Sequence, residues 1–134
     1  ADGSKKDIFQ MMTTIDKLFM AGLAYFLGIR KLGAASIRVG PGTPQAQWDY
    51  IHRFKPSTLI AIPSFISQLL QYASERKIDF PSTSVKKIVC LGEPVRNADF
   101  SLNELGKIVF NLCINGDEFC IYRVWLWQWR TCTP

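Results

Sequence analysis

Residues 55–65 read KPSTLIAIPSF, and the five residues from Thr58 to Ile62 form an uninterrupted apolar run. Runs of this length without polar alternation are typical of a strand that is buried on both faces of a parallel sheet. Pro63 and Ser64 follow at once and open a helix whose apolar residues recur at three and four positions, as far as Ala73. A buried strand that passes directly into an amphipathic helix predicts an α/β fold.

Upstream of this segment, the chain continues the same alternation. Residues 17–32 predict a mostly buried helix, with Asp16 as its N-cap and Gly33 as the residue that ends it. Residues 34–39 predict a short strand. Residues 1–16 show no clear period, so we expect a polar lead-in there.

A second helix and a third strand complete the pattern on either side of the central run. Thr43 and Pro44 are typical of a helix start, and residues 86–91 predict a strand. Gly92-Glu93-Pro94 breaks that strand sharply, and Asp99 is the expected cap of a fourth helix.

The resulting order of helix, strand, helix, strand, helix, strand, helix implies parallel strands joined by right-handed crossovers. In such sheets, ligands bind outside the carboxyl ends of the strands. Two loops at that edge carry unusual chemistry, namely Ile62-Pro63-Ser64 and Gly92-Glu93-Pro94.

Several short segments between Leu18 and about Leu105 occur together in an order typical of one enzyme family. They are AGLAYFLG (21–28), KLGA (31–34), KPSTL (55–59), PSF (63–65) and IVCLGEP (88–94). In sequence and spacing they resemble the phenylacetate–coenzyme A ligase branch of the adenylate-forming, or AMP-binding, enzymes. The resemblance implies that the chain is a partial subdomain of the large N-terminal domain of such an enzyme.

Members of this family activate a carboxylate with ATP and Mg²⁺ to form an acyl-AMP, and then transfer the acyl group to coenzyme A. The resemblance implies that Gly92, Glu93 and Pro94 lie beside the adenine of the nucleotide. This agrees with elementary chemistry, because a glycine lets the backbone approach a flat ring closely. The alternative is a plain turn that ends a strand.

The resemblance also places four residues at the pocket for the acyl group, namely Tyr25, Phe26, Pro63 and Ser64. For the two aromatic residues the alternative is ordinary helix packing, because buried helices commonly carry aromatic side chains. No residue of this chain is assigned a catalytic or metal-binding role.

The chain departs from the family at several places. The phosphate loop of the family would precede residue 1, the C-terminal lid domain with its lysine has no counterpart, and Ile62 stands where the family usually has threonine. We therefore expect a fragment of an acyl- or aryl-coenzyme A ligase, with domain residues 1–106, that is inactive on its own. Its isolated chain would bind no cofactor productively.

Residues 107–134 do not continue the resemblance, and they contain three of the four tryptophans and three of the four cysteines. A forward shift of the reading frame by one nucleotide from Lys107 permits the text K-L-Y-S-T-Y-A-S-T-E-M. That text contains the missing tyrosine–serine/threonine–threonine–glutamate motif of the family, and the shifted tryptophan codons become glycines. We therefore predict that this tail is a frameshift product, which the codons of the DNA would settle.

A genuine tail rich in tryptophan is the competing interpretation of residues 107–134. Exposed aromatic side chains of this kind would bind a membrane surface or a partner. The chain would then be a small, non-catalytic α/β interaction module. A third possibility is weak residual binding of an adenine nucleotide at Gly92-Glu93-Pro94.

Composition limits the other function classes. The net charge is +5, but the basic residues are scattered in singles and pairs, which does not favour nucleic-acid binding. The longest apolar run has about ten residues, half of the ~20 that a membrane span requires. We therefore expect a soluble, cytoplasmic protein that does not bind a membrane.

The side chains that most often bind metals are sparse. The spacing of Cys90, Cys113, Cys120 and Cys132 does not suit a zinc site, and His52 is the single histidine. Because a fragment of a larger sheet leaves an edge strand unpaired, we also expect self-association through that edge.

Overall fold

The computed structural model describes residues 3–15, 20–99, 101–113 and 120–123. Within these residues the chain forms five strands, four α-helices and one 3₁₀ turn. In chain order they are β1 (Ile8–Met11), α1 (Met20–Leu32), β2 (Ala35–Arg38), α2 (Pro44–Phe54), β3 (Thr58–Ala61), α3 (Pro63–Glu75), the 3₁₀ turn (Phe80–Ser82), β4 (Lys87–Cys90), α4 (Glu104–Cys113) and β5 (Cys120–Arg123). This confirms the predicted α/β fold.

The five strands are parallel and lie in the order β2-β1-β3-β4-β5. The strand order reverses between β1 and β3. Helix α1, which follows β1, and helix α3, which follows β3, lie on opposite faces of the sheet. Side chains of β1, β3 and β4 on one face pack with α1, whereas the alternate side chains of β3 and β4 pack with α2 and α3. The point where two crossovers diverge is where doubly wound sheets form a ligand crevice.

The central strand confirms the expectation from its apolar run. All four residues of β3 are buried. On the α2 and α3 face, Trp48 packs edge-on against Phe80 and donates its indole N–H to the carbonyl of Leu69 at 3.0 Å. Since a buried indole needs a hydrogen-bond acceptor, this contact fixes α2 against α3.

The amino ends of β1, β3 and β4 are joined by the carboxylate of Asp7. It accepts hydrogen bonds from the Ser4 amide and the Ser57 hydroxyl, both at 2.7 Å, and lies 3.8 Å from the Lys87 ammonium. Burial by itself raises the pKa of Asp7, but these hydrogen bonds and the Lys87 charge outweigh it, so the pKa lies below its usual value.

The expectation of a polar lead-in over residues 1–16 is wrong, because β1 lies near the middle of the sheet between β2 and β3. Its apolar run is interrupted by Gln10, which is fully buried. The side-chain nitrogen of Gln10 donates to the side-chain oxygen of Gln47 at 2.8 Å, and the side-chain nitrogen of Gln47 donates to the Gly40 carbonyl at 2.9 Å. The partners that make this burial tolerable are distant in sequence, so no local pattern indicated the strand.

The expectation that the first helix is mostly buried is also wrong. Met20 is 68% exposed and Leu27 is 53% exposed, and Leu23 lies between them on the same face of α1. Gly33 ends the helix with φ of 78°, as predicted, whereas Asp16 lies outside the described residues. No helix within the described ranges is sufficiently long and apolar to cross a membrane.

The start of α4 corrects the prediction for Asp99. Asn103 caps this helix, because its side-chain oxygen accepts from the Gly106 amide at 2.8 Å. Asp99 instead accepts two hydrogen bonds from Ser101 within a turn, and these lower its pKa. The helix crosses the predicted boundary at residue 107. The frameshift origin of residues 107–134 stays a prediction.

Candidate functional site

Three loops meet the carboxyl edge of the sheet near the reversal of strand order. Met12 follows β1, Ile62 follows β3, and Leu91 and Gly92 follow β4. Because the strands are parallel, all these loops lie at one edge, and the sequence-predicted residues Pro63, Ser64, Gly92, Glu93 and Pro94 are among them.

The Glu93 carboxylate joins two of these loops. One of its oxygens accepts from the Ser64 amide at 2.7 Å, and the other accepts from the Ser64 hydroxyl at 2.8 Å. Ile62 occupies the N-cap position of α3 and has no side chain that could cap the helix. Glu93 therefore supplies from another loop the negative acceptor that the start of a helix favours.

Gly92 has φ of 81°, a conformation that residues with a Cβ adopt rarely. A Cβ at this position would lie 3.3 Å from Cγ2 of Ile62. The backbone geometry and this contact together account for a glycine here. Ile62, Gly92 and Pro94 are all exposed at this carboxyl edge, and we refer to their surface as the apolar ledge.

The loop after β4 is also held from its other end by α4. The Asn103 amide group donates to the Pro94 carbonyl at 2.7 Å, and the Asn103 backbone N–H donates to the Val95 carbonyl at 3.2 Å. A Cβ on Gly106 would overlap the Val95 carbonyl oxygen, so the helix approaches the loop closely. Contacts from α3 and α4 thus fix residues 92–95.

Tyr25 and Phe26 lie on α1, on the opposite face of the sheet from α3. The hydroxyl of Tyr25 is buried without a hydrogen-bond partner among the described residues, and burial raises its pKa to about 12. Phe26 lies beneath two guanidinium groups, those of Arg38 at 5.1 Å and Arg30 at 5.9 Å from its ring centroid. Both aromatic side chains are partly buried against the sheet.

Thr13 is a residue at this edge that the sequence did not reveal. It follows β1, is only 7% exposed, and its hydroxyl has no hydrogen-bond partner within the described residues. A buried hydroxyl without a partner is costly, so it marks a position for a bound polar group or water. One local feature pointed to this position. Thr13 and Thr14 follow the apolar residues Ile8, Phe9, Met11 and Met12, and such a change is typical of the end of a strand.

The described residues at this edge include neither a reactive thiol nor a cluster of metal-ligating side chains. Burial, with a contribution from the nearby Glu93 charge, raises the pKa of the Cys90 thiol to about 11, so it stays protonated at neutral pH. Among the described residues no group of three or more His, Cys, Asp or Glu side chains could hold a metal ion. Both Glu93 oxygens accept from Ser64, and we assign Glu93 no metal-binding role.

Comparison of folds places the chain beside coenzyme A ligases. The open conformation of 2-hydroxyisobutyryl-CoA ligase, in complex with 2-HIB-AMP and CoA, matches with a TM-score of 0.70 and 17% identity. The same ligase in its thioesterification state matches with a TM-score of 0.74 and 18% identity. Each match covers 90% of this chain.

The chain spans about a quarter of the length of these ligase structures, 25% and 24% respectively. No protein-family model matches the chain, and neither does any curated protein sequence. At this level of identity the likeness concerns the fold alone. The fold is therefore an α/β fold with a parallel sheet that matches about a quarter of an acyl-CoA ligase.

Proposed function

We propose that this chain is a piece of an ATP-dependent acyl- or aryl-coenzyme A ligase, and that the isolated 134-residue chain has no ligase activity. The supporting observation is the match of 90% of the chain to about a quarter of 2-hydroxyisobutyryl-CoA ligase, at TM-scores of 0.70 and 0.74. The resemblance of the segments that end in Ile88–Pro94 supports the same interpretation. The described residues lack a metal-binding cluster, so we propose no step that passes through Mg²⁺.

The nucleotide would bind at the ledge formed by Ile62, Gly92 and Pro94. An adenine ring has flat apolar faces, and this ledge offers apolar surface next to a backbone whose glycine has no side chain. Glu93 would act as a positioning residue, because its carboxylate holds this loop against Ser64. The apolar ledge would contribute binding energy but no chemistry.

The acyl group would bind on the α1 side of the same edge. Tyr25 supplies a buried hydroxyl without a described partner, and Thr13 supplies another after β1. A carboxylate or hydroxyl of a substrate would satisfy such donors, whereas Phe26 would contribute apolar surface. Coenzyme A would enter only in the intact ligase, and we assign it no residue here. We also propose a cytoplasmic location, because the acyl-CoA ligase resemblance favours it, and fractionation of cells would test it.

Titration of the protein with AMP by calorimetry tests the nucleotide site. We expect weak binding that is lost in Ile62→Asp, because a carboxylate on the ledge would repel the phosphate and deprive the ring of its apolar contact. Ile108→Asp is the matched control, since Ile108 is similarly exposed but lies on α4 outside the ledge. Equal binding by both variants, or no heat from the unmodified protein, would contradict the proposal.

Release of pyrophosphate in the presence of ATP, coenzyme A and an aryl or fatty acid tests the expected inactivity. The isolated chain should give no more than the background. Turnover at ordinary enzyme rates, about 1–10³ per second, would show that the chain contains a complete catalytic apparatus.

A second candidate is a non-catalytic interaction module, which the exposed apolar face of α1 favours. Met20, Leu23 and Leu27 form this face, and α1 packs beside β2, which is an edge strand. Self-association would cover both the apolar face and the strand edge. Analytical ultracentrifugation should show a dimer that Leu27→Gln dissociates and Ile108→Gln does not; a monomer at all concentrations would exclude this arrangement.

A further inference from the structure

An open groove of about 670 Å³ lies at the amino ends of β3 and β4, at the sheet edge opposite the candidate nucleotide site. The end of α2 forms one side, and the connection from α3 to β4 forms the other. Its lining residues are Ile51, His52 and Lys55 from the first side, with Ile78, Asp79, Ser82, Thr83 and Ser84 from the second. This volume lies within the range of small-molecule sites.

The three hydroxyl groups of the connection have already donated their protons. Ser82 donates to the Asp79 carbonyl at 2.8 Å, Thr83 donates to the Phe80 carbonyl at 2.8 Å, and Ser84 donates to the Pro56 carbonyl at 2.9 Å. A hydroxyl has a single proton, so these oxygens can only accept further hydrogen bonds. With the Asp79 carboxylate, this side of the groove is a set of acceptors that suits a cationic donor.

The α2 side of the groove carries a positive charge, on Lys55. Lys55 is the C-cap of α2, and its φ of 48° places it in the left-handed region, with its amide bonded to the Ile51 carbonyl at 3.0 Å. His52 lies one turn earlier on the same side. Within the described residues no ion pair joins Lys55 to Asp79, so the two sides do not neutralise each other directly.

Apolar surface lies between the charged sides. Ile51 is buried and Ile78 is half-buried, and both line the groove. The groove therefore combines a cation on one side, acceptors on the other and the apolar surface that half-buried Ile78 leaves accessible.

We propose that this groove binds a short zwitterionic peptide. The peptide ammonium would donate to Asp79 and the hydroxyl oxygens, and its carboxylate would accept from Lys55. An aliphatic side chain of the peptide would cover the accessible part of Ile78. This assignment does not depend on the proposed ligase function, because none of the groove residues belongs to the candidate nucleotide or acyl site.

Nuclear magnetic resonance titration of the full chain with the dipeptide alanyl-leucine tests the proposal. Amide resonances of residues 51–55 and 78–84 should shift together and saturate. N-acetyl-alanyl-leucine lacks the ammonium, and alanyl-leucine amide lacks the carboxylate. Each blocked peptide should bind about two- to fivefold more weakly, the size expected for exposed charge pairs.

Variants that remove a charge test which side of the groove binds each end of the peptide. Lys55→Gln should weaken alanyl-leucine by about two- to fivefold and abolish its advantage over the amide. Asp79→Asn should instead reduce its advantage over the N-acetylated peptide, because only the hydroxyl oxygens would still accept from the ammonium. Lys77→Gln is the control, because Lys77 is an exposed lysine with φ of 56° that does not line the groove.

Three outcomes would overturn the proposal. The first is the absence of saturable shifts in the groove resonances while circular dichroism shows a folded protein. The second is equal binding of the zwitterion and both blocked peptides, which would indicate apolar contact alone. The third is an equal effect of Lys55→Gln and Lys77→Gln, which would indicate a general loss of positive charge.

Discussion

Replacement of Gly22 or Gly28 by alanine should change the free energy of unfolding in opposite directions, although both glycines lie in α1. A Cβ on Gly22 would overlap the Thr14 carbonyl oxygen and lie 3.1 Å from the Thr14 carbonyl carbon and 3.4 Å from Cα of Ile15. A Cβ on Gly28 would meet nothing within 4 Å. The space that a Cβ would need is therefore filled by backbone atoms at Gly22 and is free at Gly28.

The expected magnitudes follow from this contrast. Alanine is favoured over glycine inside a helix by about 0.5–1 kcal/mol, and this gain applies equally to both positions. At Gly22 the overlap with backbone adds strain of about 1–3 kcal/mol, because no flexible side chain can move away. The difference between the two variants isolates the strain, since the helix propensity cancels.

Urea denaturation followed by circular dichroism measures both variants under the same conditions. Gly28→Ala should be more stable than the unmodified protein by about 0.5–1 kcal/mol, and Gly22→Ala less stable. For a chain of this size each kcal/mol corresponds to roughly 4 °C in the midpoint of thermal unfolding. The same sign in both variants, or a difference below about 0.5 kcal/mol, would refute the close approach of α1 to the loop after β1.

Three further predictions test other contacts. Glu93→Ala should lower the free energy of unfolding by about 1–3 kcal/mol, because it removes the cap of α3. The control Glu104→Ala removes an exposed ion pair and should change the free energy of unfolding by less than ~0.5 kcal/mol. Equal losses of stability in urea denaturation would contradict the capping role of Glu93. Because the pKa of Asp7 is lowered by folding, its contribution to stability is present above the unfolded-state pKa and is lost as the pH falls through the folded-state pKa. Asp7→Asn should therefore flatten the acid limb of the stability profile, and an unchanged limb in urea titrations across acidic pH would count against this. Trp48→Ala should cost about 3–5 kcal/mol through loss of core packing and the indole hydrogen bond, and Trp48→Phe less, as judged by denaturant midpoints.

Several features of the fold follow from local sequence because their causes are local. The run from Thr58 to Ile62 produces β3, and Thr43 caps α2 by accepting from the Ala46 amide at 3.3 Å. Gly33 ends α1 in the left-handed conformation that glycine adopts without steric cost. Each of these depends on residues within a few positions of one another.

The candidate site likewise has features that local sequence predicts and features that depend on distant residues. Its loops were predictable, because a break after a buried strand is visible in Gly92-Glu93-Pro94 and in Pro63-Ser64. The hydrogen bonds from Ser64 to Glu93 were not, since these residues are 29 positions apart and belong to different crossovers. The buried hydroxyl of Thr13 was missed because β1 itself was missed.

Local residue patterns predicted the alternation of strands and helices between residues 17 and 105, the parallel character of the sheet and the ends of several helices, since apolar periodicity and capping residues act over a few positions. The position of β1 between β2 and β3, with Gln10 buried against Gln47, instead depends on packing between distant segments. The same is true of the exposure of Met20, Leu23 and Leu27 on α1. Burial depends on which distant segments cover a surface, and that information is not contained in the residues of the segment itself.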